Sequence, residues 1–251
     1  MPRFAANLTY LFAELPYLDR FDAAAEAGFE AVEVLFPYDV SAQDTQRALV
    51  RNGLRMVLMN APPPNYTGGV RGFAAMPDRV DRFRYDMRRT FRYVEALRVP
   101  LLHIMSGTAS GVNAEATFVE NLKWAAEAAP KGLTLTIEPL NAVAQPDYFL
   151  NDFDLARRVL DAVGAPNVAL QYDSYHAQMI TGDALACFEA VKDLVCHIQI
   201  GDAPHRTPPG SGEIDFPALF KAIDASGYAG WVSAEYESPK RTADSLGWMN
   251  L

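Results

Sequence analysis

The chain has 251 residues, of which half are hydrophobic, and it carries a formal net charge of −9. A chain of this length can bury a large core, and about 250 residues is typical of one α/β barrel as well as of two smaller domains. The acidic balance argues against a nucleic-acid partner, because affinity for the phosphate backbone comes from clustered Lys and Arg. These properties favour a small-molecule ligand and leave the number of domains open.

Cysteine usage and the N-terminal residues indicate a reducing compartment. Cys187 and Cys196 are too few for a disulfide framework and lack the spacing of a metal site. Residues 1–12, MPRFAANLTYLF, lack the long apolar core and the small-residue cleavage site of a signal peptide. No apolar run approaches the roughly 20 residues that cross a bilayer. We therefore expect a cytoplasmic protein without a membrane partner.

Eight short apolar segments alternate with amphipathic helical segments such as YLDRFDAAAEAG (17–28). The strand-like segments are residues 3–8, 30–36, 55–60, 101–105, 133–138, 168–173, 196–200 and 231–235. This alternation predicts an α/β fold in which parallel strands close into a (β/α)₈ TIM barrel, with residues 1–251 as one domain. An open doubly wound sheet is the alternative, but the sequence has no glycine-rich phosphate loop after the first strand.

Polar side chains recur on one face of each of the last four strand segments. In LTLTIE (133–138), aliphatic residues alternate with polar residues that end in Glu138, and alternate side chains of a barrel strand point to opposite faces. The same alternation turns Asp173, Gln199 and Glu235 towards the barrel interior. Each lies at or near the carboxyl end of its strand, so these side chains are predicted to meet at the mouth where barrel enzymes build their sites.

Carboxylates gathered at one barrel mouth repel one another unless a cation lies between them. Glu138, Asp173 and Glu235 would supply anionic oxygens, and the side-chain carbonyl of Gln199 would supply a neutral one. An all-oxygen ligand set favours Mg²⁺ or Mn²⁺ over Zn²⁺, because hard cations prefer oxygen donors. The alternative is that each of these residues satisfies only a local hydrogen bond at a strand end.

Segments from most of the chain resemble the hydroxypyruvate isomerases, which belong to the sugar isomerases and epimerases with a xylose-isomerase-like barrel. These segments are residues 3–39, IEPLN (137–141), QYDSYHAQ (171–178), HIQIGDAPHRTPPGSGEIDF (197–216) and GWVSAEY (230–236). The resemblance implies that Glu138, Asp173, Gln199 and Glu235 bind a divalent metal, and that the two glutamates are the catalytic acid and base. Related ketose epimerases usually carry histidine on the seventh strand, so Gln199 favours the hydroxypyruvate and 3-dehydrotetronate branch.

The chemistry expected of such a site is that of an aldose/ketose-type isomerase. Moving a carbonyl to the neighbouring carbon requires proton removal and addition through an enediolate, whose charge a metal stabilises. The first reaction expected is hydroxypyruvate to tartronate semialdehyde. A 3-dehydrotetronate (2-oxo-tetronate) isomerase and a ketose 3-epimerase are alternatives on the same scaffold.

Two alternatives belong to other functional classes. A noncatalytic sugar-acid-binding barrel would not need the two glutamates, Glu138 and Glu235. A metal-dependent endonuclease of the same barrel superfamily is expected to carry a basic groove and several histidines for a zinc cluster. The chain is acidic, and its histidines are His103, His176, His197 and His205. The sequence therefore favours an isomerase with a small hydroxy-oxo acid or sugar as its partner, and a homo-oligomer is compatible with it.

Several loop residues are candidate substrate ligands. His176 follows the sixth strand, where it can reach a substrate oxygen. His205 and Arg206 lie in the loop after the seventh strand, and a guanidinium suits a bidentate carboxylate contact. Arg71 is the anion-binding candidate of the Pro/Gly-rich segment 61–79, which is expected to fold over the site. For each of them, the alternative interpretation is a solvated loop side chain that does not bind the substrate.

Other residues near the predicted mouth have an equally good structural explanation. Asn7, Glu33 and His103 point inward, where they can contact a substrate or satisfy one another in the core. Phe36 and Tyr66 can form an apolar wall, but ordinary packing explains them as well.

Overall fold

Short parallel strands curl into a barrel at the centre of the molecule. The computed structural model describes residues 2–61, 71–238 and 240–250. Its strands are β1 (Arg3–Asn7), β2 (Ala31–Glu33), β3 (Arg55–Met56), β4 (Leu58–Ala61), β5 (Leu101–Ile104), β6 (Thr134–Ile137), β7 (Val168–Asp173), β8 (Val195–Ile200) and β9 (Trp231–Ala234). Their order in the sheet is β3-β2-β1-β9-β8-β7-β6-β5-β4, and every pairing is parallel.

The third predicted strand is divided at Val57 into β3 and β4, so the ladder of paired strands is open between them. The Val57 N–H donates to the Val32 carbonyl at 2.8 Å, and the Asn60 N–H donates to the Leu35 carbonyl at 2.8 Å. The first bond extends the pairing of β2 with β3, and the second joins β4 to the segment that follows β2, so the ring is nearly closed. The prediction of an α/β barrel is confirmed.

Helices surround the barrel. They are α1 (Asp19–Glu26), α2 (Ala42–Asn52), α3 (Val80–Leu97), α4 (Val112–Ala128), α5 (Phe153–Val163), α6 (Ser174–Thr181), α7 (Ala184–Val191) and α8 (Phe216–Ala225), with 3₁₀ segments at Pro77–Arg79 and Thr242–Asn250. Side-chain caps fix several starts; Asp152, for example, accepts from the backbone N–H groups of Asp154 and Leu155 and begins α5. Among the described helices, none has both the length and the hydrophobicity that crossing a membrane requires.

The barrel interior changes from apolar at the amino ends of the strands to polar at their carboxyl ends. Ala5, Ala31 and Val57 form a small buried cluster closed by Trp231. The outward-facing aliphatic residues of the strands, such as Ile137, pack under the helices in the main core, where each fully buried side chain contributes about 1.5–3 kcal/mol. The inward faces near the mouth are left to polar side chains, as the period-two alternation predicts.

Candidate active site

The carboxyl ends of the strands open into a cavity of about 570 Å³. Its lining includes every residue predicted to be catalytic or substrate-binding, namely Glu138, Glu235, His176, Arg206, His205 and Arg71. The predicted ligands Asp173 and Gln199 are buried. Phe36 also lines the cavity, whereas Tyr66 and the rest of residues 62–70 lie outside the described residues.

Glu138, Asp173 and His176 form a compact buried cluster. Glu138 follows β6, Asp173 ends β7, and His176 lies in the first turn of α6. One ligand atom of each lies within 4.8 Å of the others, so these three residues can hold a metal ion. Asp173 Oδ1 accepts the Tyr175 N–H at 2.8 Å and caps α6, while Oδ2 accepts from Arg206.

The His176 ring is held in one tautomer. Its Nδ1 accepts the backbone N–H of Asn141 at 3.0 Å, so the neutral ring carries its proton on Nε2, 3.9 Å from Asp173 Oδ2. Burial and the nearby Arg206 charge lower the pKa of His176 well below its usual value. His176 is therefore neutral, and in this tautomer its Nε2–H can donate to a substrate oxygen. Nε2 would have to lose that proton before it could bind a metal ion.

The Glu138 carboxyl lies in a strongly acidic environment. Burial, followed by the charges of Asp173 and Glu235, raises the pKa of Glu138 well above its usual value. Gln171 Nε2 donates to Glu138 Oε2 at 2.9 Å. The other oxygen, Oε1, is buried and has no hydrogen-bond partner among the described residues. His103 Nδ1 lies 3.4 Å from Oε2.

Arg206 provides the positive charge of the cluster. Its Nη2 donates to Asp173 Oδ2 at 2.8 Å and to Glu235 Oε1, and its guanidinium lies over the Tyr10 and Tyr175 rings, 4.8 and 5.2 Å from their centroids. Burial raises the pKa of Asp173 to about 6 although Arg206 opposes this shift. Burial likewise raises the pKa of Glu235 well above its usual value, again against the effect of Arg206.

A hydrogen-bond network supports Glu235 from the opposite side. Asn7 Nδ2 donates to Glu33 Oε1 at 2.7 Å and to Glu235 Oε2 at 2.6 Å. His197 Nε2 lies 2.7 Å from Glu33 Oε2. Burial raises the pKa of Glu33, but the His197 ring and the amide of Gln199 outweigh it and lower the pKa below its usual value. Asn7 and Glu33 thus satisfy each other, one of the two roles expected for them.

Gln199 is fully engaged by protein groups. Its Nε2 donates to Glu33 Oε1 at 2.6 Å and to Glu235 Oε2, while its Oε1 accepts from Gln171 Nε2 at 2.6 Å. Gln171 is oriented in turn by Thr136, whose hydroxyl donates to Gln171 Oε1 at 2.9 Å. Gln199 therefore presents its nitrogen to Glu235. Ligation by its oxygen on that side requires the amide to turn over.

The loop after β8 is shaped by a buried aspartate. Both carboxylate oxygens of Asp202 accept backbone N–H groups, from Ala203, Gly210, Gly212 and Ile214, at 2.8–3.0 Å. A Cβ on Gly212 would lie 2.1 Å from the Ala203 carbonyl oxygen, so only glycine fits there. The loop holds Arg206 in the left-handed region, at φ 53°, and leaves His205 exposed on the rim.

Several residues that contact this cluster or line the cavity carried no predicted site role. Gln171 and Asn60 are polar residues within otherwise apolar strands, the same signal that singled out Gln199. Tyr10 and Asn141 lie in loops, and a single sequence has no periodic pattern in a loop that would identify them as site residues. Of the two arginines predicted to bind an anion at the mouth, Arg206 contacts Asp173 and Glu235, and Arg71 is exposed at the edge of the cavity.

Known proteins with the same fold are similar to this chain over nearly all of its length. The xylose isomerase-like TIM barrel family model matches residues 21–251. The 2-oxo-tetronate isomerase of Cupriavidus necator is 41% identical over 254 residues, which cover 99% of this chain and 98% of that protein. The hydroxypyruvate isomerase of Escherichia coli is 39% identical, with 100% and 99% covered.

Two solved structures extend the comparison. The crystal structure of AP endonuclease, family 2, from Brucella melitensis has a TM-score of 0.92 at 42% identity and covers 100% of this chain and 98% of its own. The 3-keto-D-glucoside 4-epimerase of Escherichia coli has a TM-score of 0.79 at 22% identity, covers 100% and 99%, and shares the fold. The resemblance seen in the sequence is confirmed. The chain belongs to the xylose isomerase-like TIM barrel family, and its full-length similarity to curated isomerases shows that it is an isomerase.

Proposed function

We propose that the protein is a metal-dependent isomerase of a small hydroxy-oxo acid, with hydroxypyruvate to tartronate semialdehyde as the first reaction to test. The observation that carries this proposal is the convergence of Glu138 and Glu235 with Asp173 and His176 around one polar cavity. Relatives named 2-oxo-tetronate isomerase and hydroxypyruvate isomerase, at 41% and 39% identity, support the substrate class. 2-Oxo-tetronate is the alternative substrate, and a ketose 3-epimerase is the alternative reaction.

The residues present fit a divalent cation. Glu138, Asp173 and His176 meet within 4.8 Å, and Glu138 Oε1 is a buried oxygen without a partner in the described part of the chain. Glu235 and, once its amide turns over, Gln199 would complete the set. The predominance of oxygen donors favours Mg²⁺ or Mn²⁺. A cation bound there would stabilise the negative charge of an enediolate.

Glu138 and Glu235 would transfer the protons. They follow β6 and β9, which lie three places apart in the sheet, so they face the cavity from different sides. Burial raises the pKa of both carboxyls, and neighbouring carboxylates raise each of them further. A carboxyl with a raised pKa exchanges protons at an operating pH closer to neutral, as general acid–base catalysis requires. Asn7 and Arg206 would keep Glu235 in place by donating to its two oxygens.

The substrate carboxylate would lie towards the rim. Arg206 already donates to Asp173 and Glu235, whereas the exposed Arg71 and His205 line the outer cavity. A substrate carboxylate near Arg71 and His205 would be kept away from the carboxylates of Asp173 and Glu235. The reacting carbons would then point inward, towards Glu138. We therefore place the acid end of the substrate outward and the carbonyl end inward.

The test is product formation from hydroxypyruvate and 2-oxo-tetronate by metal-stripped protein, before and after Mg²⁺ or Mn²⁺ is restored. Activity is expected only after restoration. Glu138→Gln and Glu235→Gln should each lower kcat by at least about 100-fold, because each removes a proton-transfer group. Glu120→Gln, at an exposed carboxyl paired with Lys123, is the matched control and should retain activity.

Near-normal turnover by both site variants would overturn the proposed roles. Binding of these acids without turnover under any metal would support the noncatalytic barrel instead. Incision of abasic DNA by the same preparation would support an endonuclease, the activity for which the Brucella melitensis protein is named.

A further inference from the structure

One wall of the cavity carries buried polar atoms that have no hydrogen-bond partner in the described part of the chain. His103 on β5 is 1% exposed, and Asn60 on β4 is 4% exposed. Within the described chain, neither ring nitrogen of His103 nor Oδ1 of Asn60 has a hydrogen-bond partner, and the nearest charged group is Glu138 Oε2, 3.4 Å from His103 Nδ1. Both residues line the cavity. Buried polar atoms are nearly always paired, so this cluster points to a ligand that completes it.

The two side chains lie side by side. Asn60 and His103 are partners in the register of β4 and β5, and His103 is the partner of Thr136 on β6. Neighbouring strands are about 4.8 Å apart and partner side chains share a face, so the amide and the imidazole face the same part of the cavity. Glu138, two residues beyond Thr136, adds its unpaired Oε1 to this wall.

The opposite wall differs sharply. There the Asn7 and Gln199 amides both donate to Glu33 and to Glu235. His197 Nδ1 and Ser233 Oγ on that side also lack partners in the described chain, but neither residue lines the cavity. A ligand in the cavity therefore finds fewer open partners there than on the β4–β5 side. This difference in open hydrogen-bonding groups indicates that the β4–β5 wall contacts the part of the substrate that the metal-ligand cluster does not hold.

The chemistry of the unpaired groups selects a hydroxyl. His103 is buried in the cavity wall, and a neutral imidazole offers one donor and one acceptor. Asn60 Oδ1 is an acceptor, and the Glu138 carboxyl lies beside them. A carboxylate has only acceptor atoms and would face Asn60 Oδ1 and Glu138 oxygens without a positive charge, whereas a hydroxyl both donates and accepts.

We propose that Asn60 and His103 form a subsite for a substrate hydroxyl beyond the two carbons that exchange the carbonyl. This inference rests on the proposed function, and it adds a criterion for substrate choice. Hydroxypyruvate has no such hydroxyl, because its non-carboxylate oxygens both lie on the reacting carbons. In 2-oxo-tetronate the hydroxyl on the fourth carbon meets the requirement.

The test compares 2-oxo-tetronate with 2-oxo-3-hydroxybutanoate, which differs only by lacking the hydroxyl on the fourth carbon. The ratio of the two kcat/KM values is measured for the wild type, Asn60→Leu and His103→Phe. Each variant should reduce this ratio by about tenfold, the effect of one lost hydrogen bond. Because a general loss of activity cancels in the ratio, the readout isolates the hydroxyl contact. Asn121→Leu, at a buried asparagine that donates to the Ala74 carbonyl outside the cavity, should leave the ratio unchanged.

Calorimetric binding of the nonreacting acids 2,3,4-trihydroxybutanoate and 2,3-dihydroxybutanoate gives a second readout that does not depend on turnover. The wild type should bind the trihydroxy acid about tenfold more tightly, and both site variants should lose this preference. An unchanged ratio and an unchanged binding preference in both variants would overturn the subsite. Absence of turnover with every acid would instead overturn the proposed function, while the calorimetry would still decide the subsite.

Discussion

Replacing Arg206 with methionine removes the positive charge that holds the carboxylates of the metal-free site together. The guanidinium donates to Asp173 and Glu235 and is stacked on Tyr10 and Tyr175. Its side chain is 14% exposed, so water screens these contacts poorly. Methionine retains an apolar stem of similar length and can keep part of the contact with the rings, so the change acts mainly on charge.

Breaking a buried ion pair by removing one partner costs about 3–5 kcal/mol. For a chain of this size, 1 kcal/mol corresponds to about 2–4 °C in Tm. Arg206→Met should therefore lower the Tm of the metal-free protein by on the order of 6–20 °C. Protonation of Asp173, whose pKa is already raised to about 6, would bring the loss to the lower end of that range in acidic buffer.

The assay is thermal unfolding in EDTA and again with saturating Mg²⁺ or Mn²⁺. The cation should stabilise Arg206→Met more than the wild type, because it replaces the missing charge. Arg157→Met is the matched control, since Arg157 and Asp193 form an exposed pair worth less than about 1 kcal/mol. A metal-free variant that melts with the wild type would refute the role assigned to Arg206.

Three further outcomes follow. The folded-state pKa of Asp173 is raised from 3.8 to about 6, so native protein binds more protons than unfolded protein between these values. The unfolding free energy in EDTA, measured by urea denaturation, should therefore fall by about 2 kcal/mol as the pH rises from 4 to 6, and it should fall less steeply in Asp173→Asn. Gln171→Leu removes the amide joining Glu138 to Gln199 and should weaken Mn²⁺ binding about 10- to 100-fold in calorimetry. Asp202→Ala leaves loop N–H groups unpaired and should cost at least about 3 kcal/mol in the same denaturation assay.

The inward face of the C-terminal strands was predictable because a strand has a strict period of two. In β6 that alternation separates Ile137 from Thr136, and Thr136 does lie inside the barrel, where it contacts Gln171. Parallel pairing then sets Asp173 beside Gln199 in register. Period and strand order alone thus bring the ends of β6 to β9 to one mouth.

Loop-borne and long-range features were not predictable in the same way. Arg206 reaches Asp173 and Glu235 because backbone bonds to Asp202 shape its loop, and no periodic pattern encodes that path. The division of the third strand at Val57 depends on how the ring closes. His176 was expected to contact the substrate. Its proximity to Glu138 and Asp173 depends on the turn that begins α6, which the sequence pattern does not define.

Proton transfer by the two glutamates is tested most directly by turnover of hydroxypyruvate and 2-oxo-tetronate in deuterated water with metal-restored protein, followed by proton NMR. Transfer by Glu138 and Glu235 predicts that deuterium from the solvent enters the product at the carbon next to the new carbonyl, because a glutamic acid exchanges its proton with water. A product that retains the original hydrogen in full would contradict proton transfer by these glutamates and would indicate a hydride shift.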